Sequence, residues 1–229
     1  MMNNRKASID DGFNSELVLG AVFDGILEIP AIPPPDELRI PSGLTPFSMR
    51  HRMNCITEGL CFYENDPVFA DVLINPDRYT EEFRKYYAVL TPDCSMYRDA
   101  PILVQAGNHY KRQALGYHFW KNGSYVIPTV RWGDERTYTK SVLPEAVAFL
   151  GISKRSIVSI GTYGCIRGKE NLYHFQAGLA AMFEHLEPQI VLVYGPRPRG
   201  IFDSYEKSAQ LKYYPNWIKR MKGGNHGQR

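Results

Sequence analysis

The chain has 229 residues, of which 44% are hydrophobic and 22% are charged, a composition typical of one globular domain and unlike that of a disordered or fibrous chain. No apolar run approaches the ~20 residues of a membrane span, and the polar first residues lack the apolar segment of a signal peptide, so we expect a cytoplasmic protein with no membrane partner. The net charge of +3 is uneven, because residues 1–160 hold 17 Lys/Arg against 19 Asp/Glu and residues 161–229 hold 10 against 5; a basic last third suits an anionic ligand or nucleic acid, although solubility explains it equally well.

The first 53 residues are predicted to form a polar, proline-rich arm. Pro30 and Pro33–Pro35 cannot lie inside a helix and have lost their amide donors, so this stretch is expected to run extended over the main domain. An α/β domain is predicted over residues 54–210. Residues 211–229 are basic and aromatic, and we expect them to form a flexible tail.

The middle of the chain reads as strand, helix and strand. Tyr86–Thr91 and Tyr125–Val130 have strand composition, and Pro101–Lys121 has helical length and pattern. Asp99 is the expected N-cap, and Asn122-Gly123 is the stop signal. A crossover helix joins its two strands in parallel.

The same alternation of strands and helices recurs later in the chain. Ser156–Ile160 and Gln189–Tyr194 are predicted strands, Glu170–Leu186 is an amphipathic helix, and a short helix is expected over Ile201–Lys207. Successive βα units predict an α/β fold with a parallel sheet, either open or closed into a partial or complete (β/α) barrel.

Four segments together resemble a known family. They are Thr91–Asp99, Val130–Asp134, Gly161–Cys165 and Val193–Gly195. In this order they are similar to domain of unknown function 4417, a family from bacteriophages and bacterial mobile elements. The resemblance covers Cys61 to Tyr205 and implies a phage or mobile-element protein inside a host bacterial cell. It implies no activity, cofactor or catalytic residue.

Four predicted strands each run into a loop rich in polar side chains. The loops hold Asp93 and Arg98; Arg131, Trp132 and Asp134; Tyr163, Arg167 and Lys169; and Arg197 and Arg199. Ligands of parallel sheets bind beyond the carboxyl ends of the strands, so the convergence of these loops predicts a site there.

The basic residues of these loops are candidate phosphate ligands. Arg98, Arg131, Arg167 and Lys169 would hold the anion, because a guanidinium fork matches phosphate oxygens. The glycines of Gly161–Gly164 would let backbone amides approach it. Alternatively, the glycines serve turns and the arginines pair with nearby acids.

Asp93 and Asp134 are the candidate catalytic residues and metal ligands. A carboxylate at the end of a strand can bind Mg²⁺ or act as an acid or base, so magnesium is the candidate cofactor. The alternative is an ion pair, Asp93 with Arg98 or Arg131 and Asp134 with Arg136.

Three further features have two interpretations each. Cys165 lies near Arg167 and Lys169, which favours a thiolate, although structural packing is the favoured interpretation. Trp132 is expected to pack in the core, with base stacking as the alternative. One face of the predicted helix is polar and holds Gln105, Asn108, His109 and Arg112. We expect this face to be solvated, and the alternative is that it lines the site.

The leading hypothesis is an α/β enzyme that acts on a phosphate-bearing substrate, such as a nucleotide or a nucleic-acid end. A second is a non-catalytic nucleic-acid-binding module, in which the basic C-terminal third contacts phosphates. A third is a phage accessory protein that binds a host protein. The sequence does not define an oligomeric state.

Overall fold

The computed structural model describes residues 14–224 and has an α/β fold. The strands are β1 (Phe23–Asp24), β2 (Ile29–Pro30), β3 (Leu44–Pro46), β4 (Gly59–Cys61), β5 (Ala88–Leu90), β6 (Val126–Ile127), β7 (Ile157–Gly161), β8 (Ile190–Tyr194) and β9 (Gln210–Tyr214). The α-helices are α1 (Ala70–Ile74), α2 (Asp77–Phe83), α3 (Ile102–Lys121), α4 (Glu135–Tyr138), α5 (Lys169–Leu186) and α6 (Trp217–Gly224).

Two parallel sheets form the centre of the fold. One has the order β3-β4-β5-β6 and the other the order β7-β8-β9, while β1 and β2 form a separate antiparallel pair. A single parallel bridge between Thr129 and Ser159 joins the two parallel sheets. The predicted parallel α/β architecture is therefore confirmed. A closed barrel is not confirmed by the strand pairing within residues 14–224.

Strands β3 to β8 are buried on both faces, as expected where helices cover parallel strands. In β8, Ile190, Leu192 and Tyr194 join a core cluster that combines residues of both sheets. Val191 and Val193 point the other way, into the cluster that includes the apolar face of α5. This period of two explains why β8 reads as one continuous apolar run.

The helix predicted over residues 101–121 is confirmed as α3. Its N-cap residue is Pro101, so the expected N-cap role of Asp99 is wrong. Gly123 follows the helix with φ of 88°, a left-handed conformation that suits glycine. The polar face expected to be solvated is wrong in three of its four residues, because Gln105, His109 and Arg112 are fully buried.

The C-terminal segment corrects two predictions. Residues 201–207 form turns and not a helix. Residues 210–214 are strand β9, paired in parallel with β8, and α6 follows, so the part of the expected flexible tail within residues 211–224 is folded. The amide groups at the edge of β8 find their partners in β9. The rest of the predicted tail, residues 225–229, lies outside the described residues, and the proposed domain boundaries stay predictions.

The N-terminal arm packs on its own chain. Ile32 is buried against Gly116 of α3, and its amide donates to the Gly151 carbonyl at 3.0 Å. Lys121 Nζ donates to the Leu19 carbonyl at 2.6 Å. Within residues 14–224, none of the helices has the length and apolar character needed to cross a membrane.

Candidate functional site

A cavity of about 420 Å³ opens at the carboxyl ends of β4, β5, β6 and β7. Its walls include Tyr63, Asp93, Arg131 and Gly161, which end these strands or follow them. Three of the four polar loops predicted from the sequence meet here. The fourth does not take part, since Arg197 and Arg199 are outside the cavity lining in the described part of the chain.

Asp93 and Arg131 form a buried ion pair on the cavity wall. Arg131 Nε donates to Asp93 Oδ1 at 2.9 Å, and Nη2 donates to Oδ2. Burial by itself would lower the pKa of Arg131, but the Asp93 carboxylate and the Cys165 sulfur hold this pKa well above its usual value. Both oxygens of Asp93 are therefore engaged by one guanidinium.

A second guanidinium lies in the same buried region. Arg112 of α3 is fully buried; its Nη2 donates to the Cys94 carbonyl at 2.8 Å, and its Nη1 contacts His109 Nδ1 at 3.3 Å. His109 Nε2 lies 2.9 Å from the Leu150 carbonyl, which suits the neutral tautomer protonated at Nε2. Burial and the charge of Arg112 lower the pKa of His109 to about 3, so this imidazole is neutral.

Cys165 completes this group of side chains. The sulfur accepts from Arg131 Nη1, the nitrogen that Asp93 leaves free, and lies 3.6 Å from the Tyr163 carbonyl. Cys165 is partly buried and lines the cavity.

Tyr63 supplies an aromatic wall that the sequence analysis did not single out. Its ring stacks on Tyr194 with centroids 5.0 Å apart, and its hydroxyl lies 2.6 Å from Ser159 Oγ. Burial raises the pKa of Tyr63 well above its usual value, so the phenol stays protonated. Cys61–Tyr63 has strand composition, so the place of Tyr63 at the carboxyl end of this segment was the available signal.

Asp134 has a different role from Asp93. Its carboxylate caps α4 by accepting from the Arg136 amide at 3.0 Å, and it also binds the Arg136 side chain at 2.6 Å. Burial opposes ionisation, yet the Arg136 bonds lower the pKa of Asp134 overall. In the described chain Asp134 is not part of the cavity lining, whereas its neighbour Gly133 is.

Trp132 is buried and forms part of the cavity wall. Its indole Nε1 donates to the His174 carbonyl at 3.0 Å, and its ring packs near Phe175 with centroids 5.6 Å apart. His174 lines the cavity too, and its Nδ1 lies 2.9 Å from the Tyr138 hydroxyl. The sequence analysis missed His174 as a wall residue, although its place in the second turn of the helix after a polar loop could have indicated it.

The cavity mouth carries the exposed groups. Arg98 lines it and pairs with Glu170 of α5 at 2.7 Å. Tyr163 also lines it and is 68% exposed. Arg167 and Lys169 stand exposed beside the start of α5, outside the lining residues of the described chain.

The donor set is unsuited to a protein-held metal ion. In residues 14–224, no group of three or more His, Cys, Asp or Glu side chains is placed to hold one. Asp93 and Asp134 each bind an arginine instead, so the proposed magnesium and catalytic roles of these carboxylates stay predictions without support from a ligand cluster.

Fold and site together define an α/β protein with a ligand-sized cavity at the carboxyl edge of parallel strands. The family described as Domain of unknown function (DUF4417) matches residues 21–214, and the chain belongs to it, so the family resemblance is confirmed. No solved structure matches the chain.

Two phage proteins are similar over most of the chain. The Gene 1 protein of Mycobacterium phage D29 is 30% identical over 199 residues, which cover 85% of this chain and 69% of that protein. The Gene 1 protein of Mycobacterium phage L5 is 30% identical over 171 residues, covering 73% and 71%. These relatives support a phage origin and carry no activity in their names.

Proposed function

We propose that this protein is an α/β enzyme that binds a phosphate-bearing substrate, a nucleotide or a nucleic-acid end, in the carboxyl-edge cavity. The observation that carries the proposal is the cavity itself. It lies where loops from four parallel strands converge, which is the usual ligand position in parallel α/β sheets.

The start of α5 supports a phosphate ligand. This helix has 18 residues, and its N-cap Gly168 provides no side-chain hydrogen bond to the first amides. Asn171, in the first turn, lines the cavity. Amide groups that lack a cap, together with the helix dipole, favour an anion at this end.

Arg98 is the cation best placed to take part. It lines the cavity, and its partner Glu170 has a side chain that is 76% exposed. Exposed ion pairs contribute little to stability, so a phosphate could replace Glu170 as the partner of Arg98 at little cost in free energy. Arg131, by contrast, is held by Asp93. An acid-base role for Asp93 would require this pair to open, and a Mg²⁺ ion would have to arrive with the substrate phosphates.

The test is a thermal-shift and calorimetric comparison of a nucleotide with the nucleoside that lacks its phosphate. Saturation at 100-fold over the dissociation constant adds about 2.7 kcal/mol to the free energy of unfolding. The nucleotide should stabilise the protein and the nucleoside should not. Stabilisation by both to the same extent would contradict a phosphate site.

Arg98→Ala and Arg155→Ala form a matched pair of variants. Arg155 also makes a surface ion pair, with Glu187 at 3.0 Å, but it precedes β7 and so lies at the opposite edge of the sheet. Loss of nucleotide binding in Arg98→Ala alone supports the proposal. Equal nucleotide affinity in both variants would show that Arg98 does not contribute to binding.

The alternative hypotheses give other outcomes in the same screen. A shift seen only with oligonucleotides and abolished by salt would favour a nucleic-acid-binding module. That module would be tested by substituting the exposed Lys219 and Lys222 together. Truncation after residue 205 is unsuitable because it would also remove β9. Arg220 is unsuitable, since it binds the buried Glu58. No shift with any ligand would favour a host-protein partner.

A further inference from the structure

Two exposed tyrosines stand at the mouth of the carboxyl-edge cavity. Tyr97 is 66% exposed and Tyr163 is 68% exposed, and both line the cavity. Within residues 14–224, neither ring packs on another aromatic ring and neither hydroxyl makes a hydrogen bond. Tyr173 is also exposed, at 65%, but it lies outside the cavity lining of the described chain and its ring contacts His174. Aromatic rings contribute most when they are packed, so two unpacked rings at one opening suit a ligand that would cover them.

The two tyrosines come from loops on either side of the loop after β6. Tyr97 follows β5 and Tyr163 follows β7. Strand β6 lies between these strands, because it pairs with β5 and the bridge from Thr129, just after β6, leads to Ser159 of β7. Adjacent strands are about 4.8 Å apart, so β5 and β7 end roughly 10 Å from each other. A chain with several flat groups could therefore contact both rings.

Positive charge continues from the mouth onto the neighbouring loop. Three exposed cations have no ion-pair partner in the described part of the chain: Arg167 in the loop after β7, Lys169 at the start of α5 and Arg199 in the loop after β8. The two loops touch, because Thr162 Oγ1 donates to the Pro196 carbonyl at 2.8 Å. The loop after β8 thus extends the surface of the mouth, although it does not line the cavity.

The acidic side chains of this region are mostly paired. Glu170 binds Arg98 at 2.7 Å, and Glu206 binds Arg197 at 2.5 Å. Asp99 is exposed and makes no ion pair within residues 14–224, but it belongs to the loop after β5. The surface formed by the loops after β7 and β8 therefore has an excess of positive charge, which is complementary to a row of phosphates.

The cavity itself is small and partly apolar. Its volume is about 420 Å³, near the lower end of ligand sites, so it has room for a single nucleotide. Val130, Ile160 and Phe175 are buried and line it, which suits the flat apolar face of a base. Any further nucleotides of a chain would have to leave through the mouth, past the exposed tyrosines.

We propose that the ligand is the end of a single-stranded nucleic acid. Its last nucleotide occupies the cavity, the adjoining bases stack on Tyr97 and Tyr163, and the backbone follows the cations of the loops after β7 and β8. This choice of ligand rests on the proposed function, because it takes the cavity as a nucleotide site. Stacking needs only the π-face that every base has. In a duplex the bases are already paired and stacked, so only a single strand offers them to the rings.

Fluorescence anisotropy compares three ligands of the wild-type protein. The first is a labelled single strand about eight nucleotides long, prepared as DNA and as RNA with the label at either end. The second is the duplex of the same sequence, and the third is the mononucleotide, measured by displacement of the strand. The single strand should bind about tenfold or more tightly than either of the others. A single strand that binds no more tightly than the mononucleotide or the duplex would overturn the proposal.

The three exposed tyrosines provide a matched set of variants. Tyr97→Ala and Tyr163→Ala should each weaken binding of the single strand by about fivefold or more, because each removes a stacking platform. Tyr173→Ala should leave it unchanged. Since all three rings are exposed, the variants should fold, and thermal unfolding without ligand verifies this. Unchanged affinity after both mouth substitutions, or an equal loss in Tyr173→Ala, would overturn the proposal.

Salt dependence tests the path of the backbone. Arg199→Gln should lower the slope of log affinity against log salt by about 0.7, the value for one phosphate contact of a single strand. Arg155→Gln is the control, because Arg155 is exposed and precedes β7 at the opposite edge of the sheet. An equal slope in both variants would exclude the path over the loop after β8.

The outcomes also separate the strand end from the proposed function. A mononucleotide that stabilises the protein, together with a single strand that binds no more tightly, would support the proposed function and exclude the strand end. Absence of binding by all three ligands would contradict both. A single strand that is insensitive to both mouth substitutions but weakened by substitution of Lys219 and Lys222 would place it on α6 and exclude it from the cavity mouth.

Discussion

Helices α3 and α5 both cover parallel strands, yet α3 buries polar side chains as well as apolar ones, whereas α5 buries an apolar face. The buried face of α5 is apolar and consists of Phe175, Leu179, Met182 and Leu186 with Gly178. The buried face of α3 includes Gln105, His109, Arg112 and Gln113, all fully buried. Hydrophobic burial holds α5 in place, whereas α3 depends in part on hydrogen bonds whose partners must be present.

The polar groups of α3 bind the backbone of loops. Gln105 donates to the Ala100 carbonyl at 3.0 Å, and Asn108 donates to the Ser95 carbonyl at 2.6 Å. Arg112 binds the Cys94 carbonyl, and His109 binds the Leu150 carbonyl. The loop after β5 carries Asp93 and Ser95 to the cavity, so α3 positions part of the site. Four predictions test this contrast.

The largest effect is expected for Asp93→Asn. It removes the one carboxylate beside two buried guanidiniums and should lower the free energy of unfolding by about 3–5 kcal/mol. Urea denaturation measures this loss. Asp203→Asn is the control, because its carboxylate is exposed and lies 4.0 Å from Arg197; its effect should be small. Similar losses in both variants would contradict a buried charge cluster.

Replacing one glycine by alanine should change the stability of the protein in opposite directions in the two helices. A Cβ at Gly178 of α5 would lie 2.2 Å from the Trp132 indole nitrogen, whereas a Cβ at Gly107 of α3 would meet no atom within 4 Å. Gly178→Ala should therefore destabilise by about 1–3 kcal/mol, and Gly107→Ala should stabilise by about 0.5–1 kcal/mol. Thermal unfolding measures both changes in stability. Changes in the same direction would contradict the difference in packing between the two glycines.

His109 should make α3 sensitive to acid. Its pKa is lowered to about 3 by burial and by Arg112, against about 6.5 in the unfolded chain. The folded pKa is the lower one, so this contribution is complete above about pH 6.5 and is lost as pH falls toward 3. Between pH 7.5 and 5.5 the loss is about 1.4 kcal/mol. His109→Gln should flatten that slope in chemical denaturation series, and an unchanged slope would assign it to other groups.

The smallest effect on stability is expected at the exposed start of α5. Arg98→Ala breaks the pair with Glu170 and should cost less than about 1 kcal/mol, comparable with Arg155→Ala. A difference between the two variants should emerge only when nucleotide is added. A large loss of stability without ligand would show that Arg98 has a structural role.

The local elements and their shared sheet edge follow from the amino-acid sequence alone. Apolar runs bounded by breakers predicted strands near β5, β7 and β8, and helical periodicity predicted α3 and α5. Because crossovers of this length join parallel strands, the sequence also predicted that four polar loops would meet, and three of them do. These inferences depend on periodicity and chain length, which are properties of neighbouring residues.

Which polar groups are buried, and what they bind, depends on contacts between distant parts of the chain. Arg131 meets Asp93 across 38 positions of the chain, and His109 meets Leu150 across 41, so no local pattern could show that the polar face of α3 is buried. The strand β9 forms because β8 supplies a row of backbone partners, although residues 211–214 read as tail. A pattern records the polarity of each side chain, whereas burial of a polar group depends on a distant partner that satisfies it.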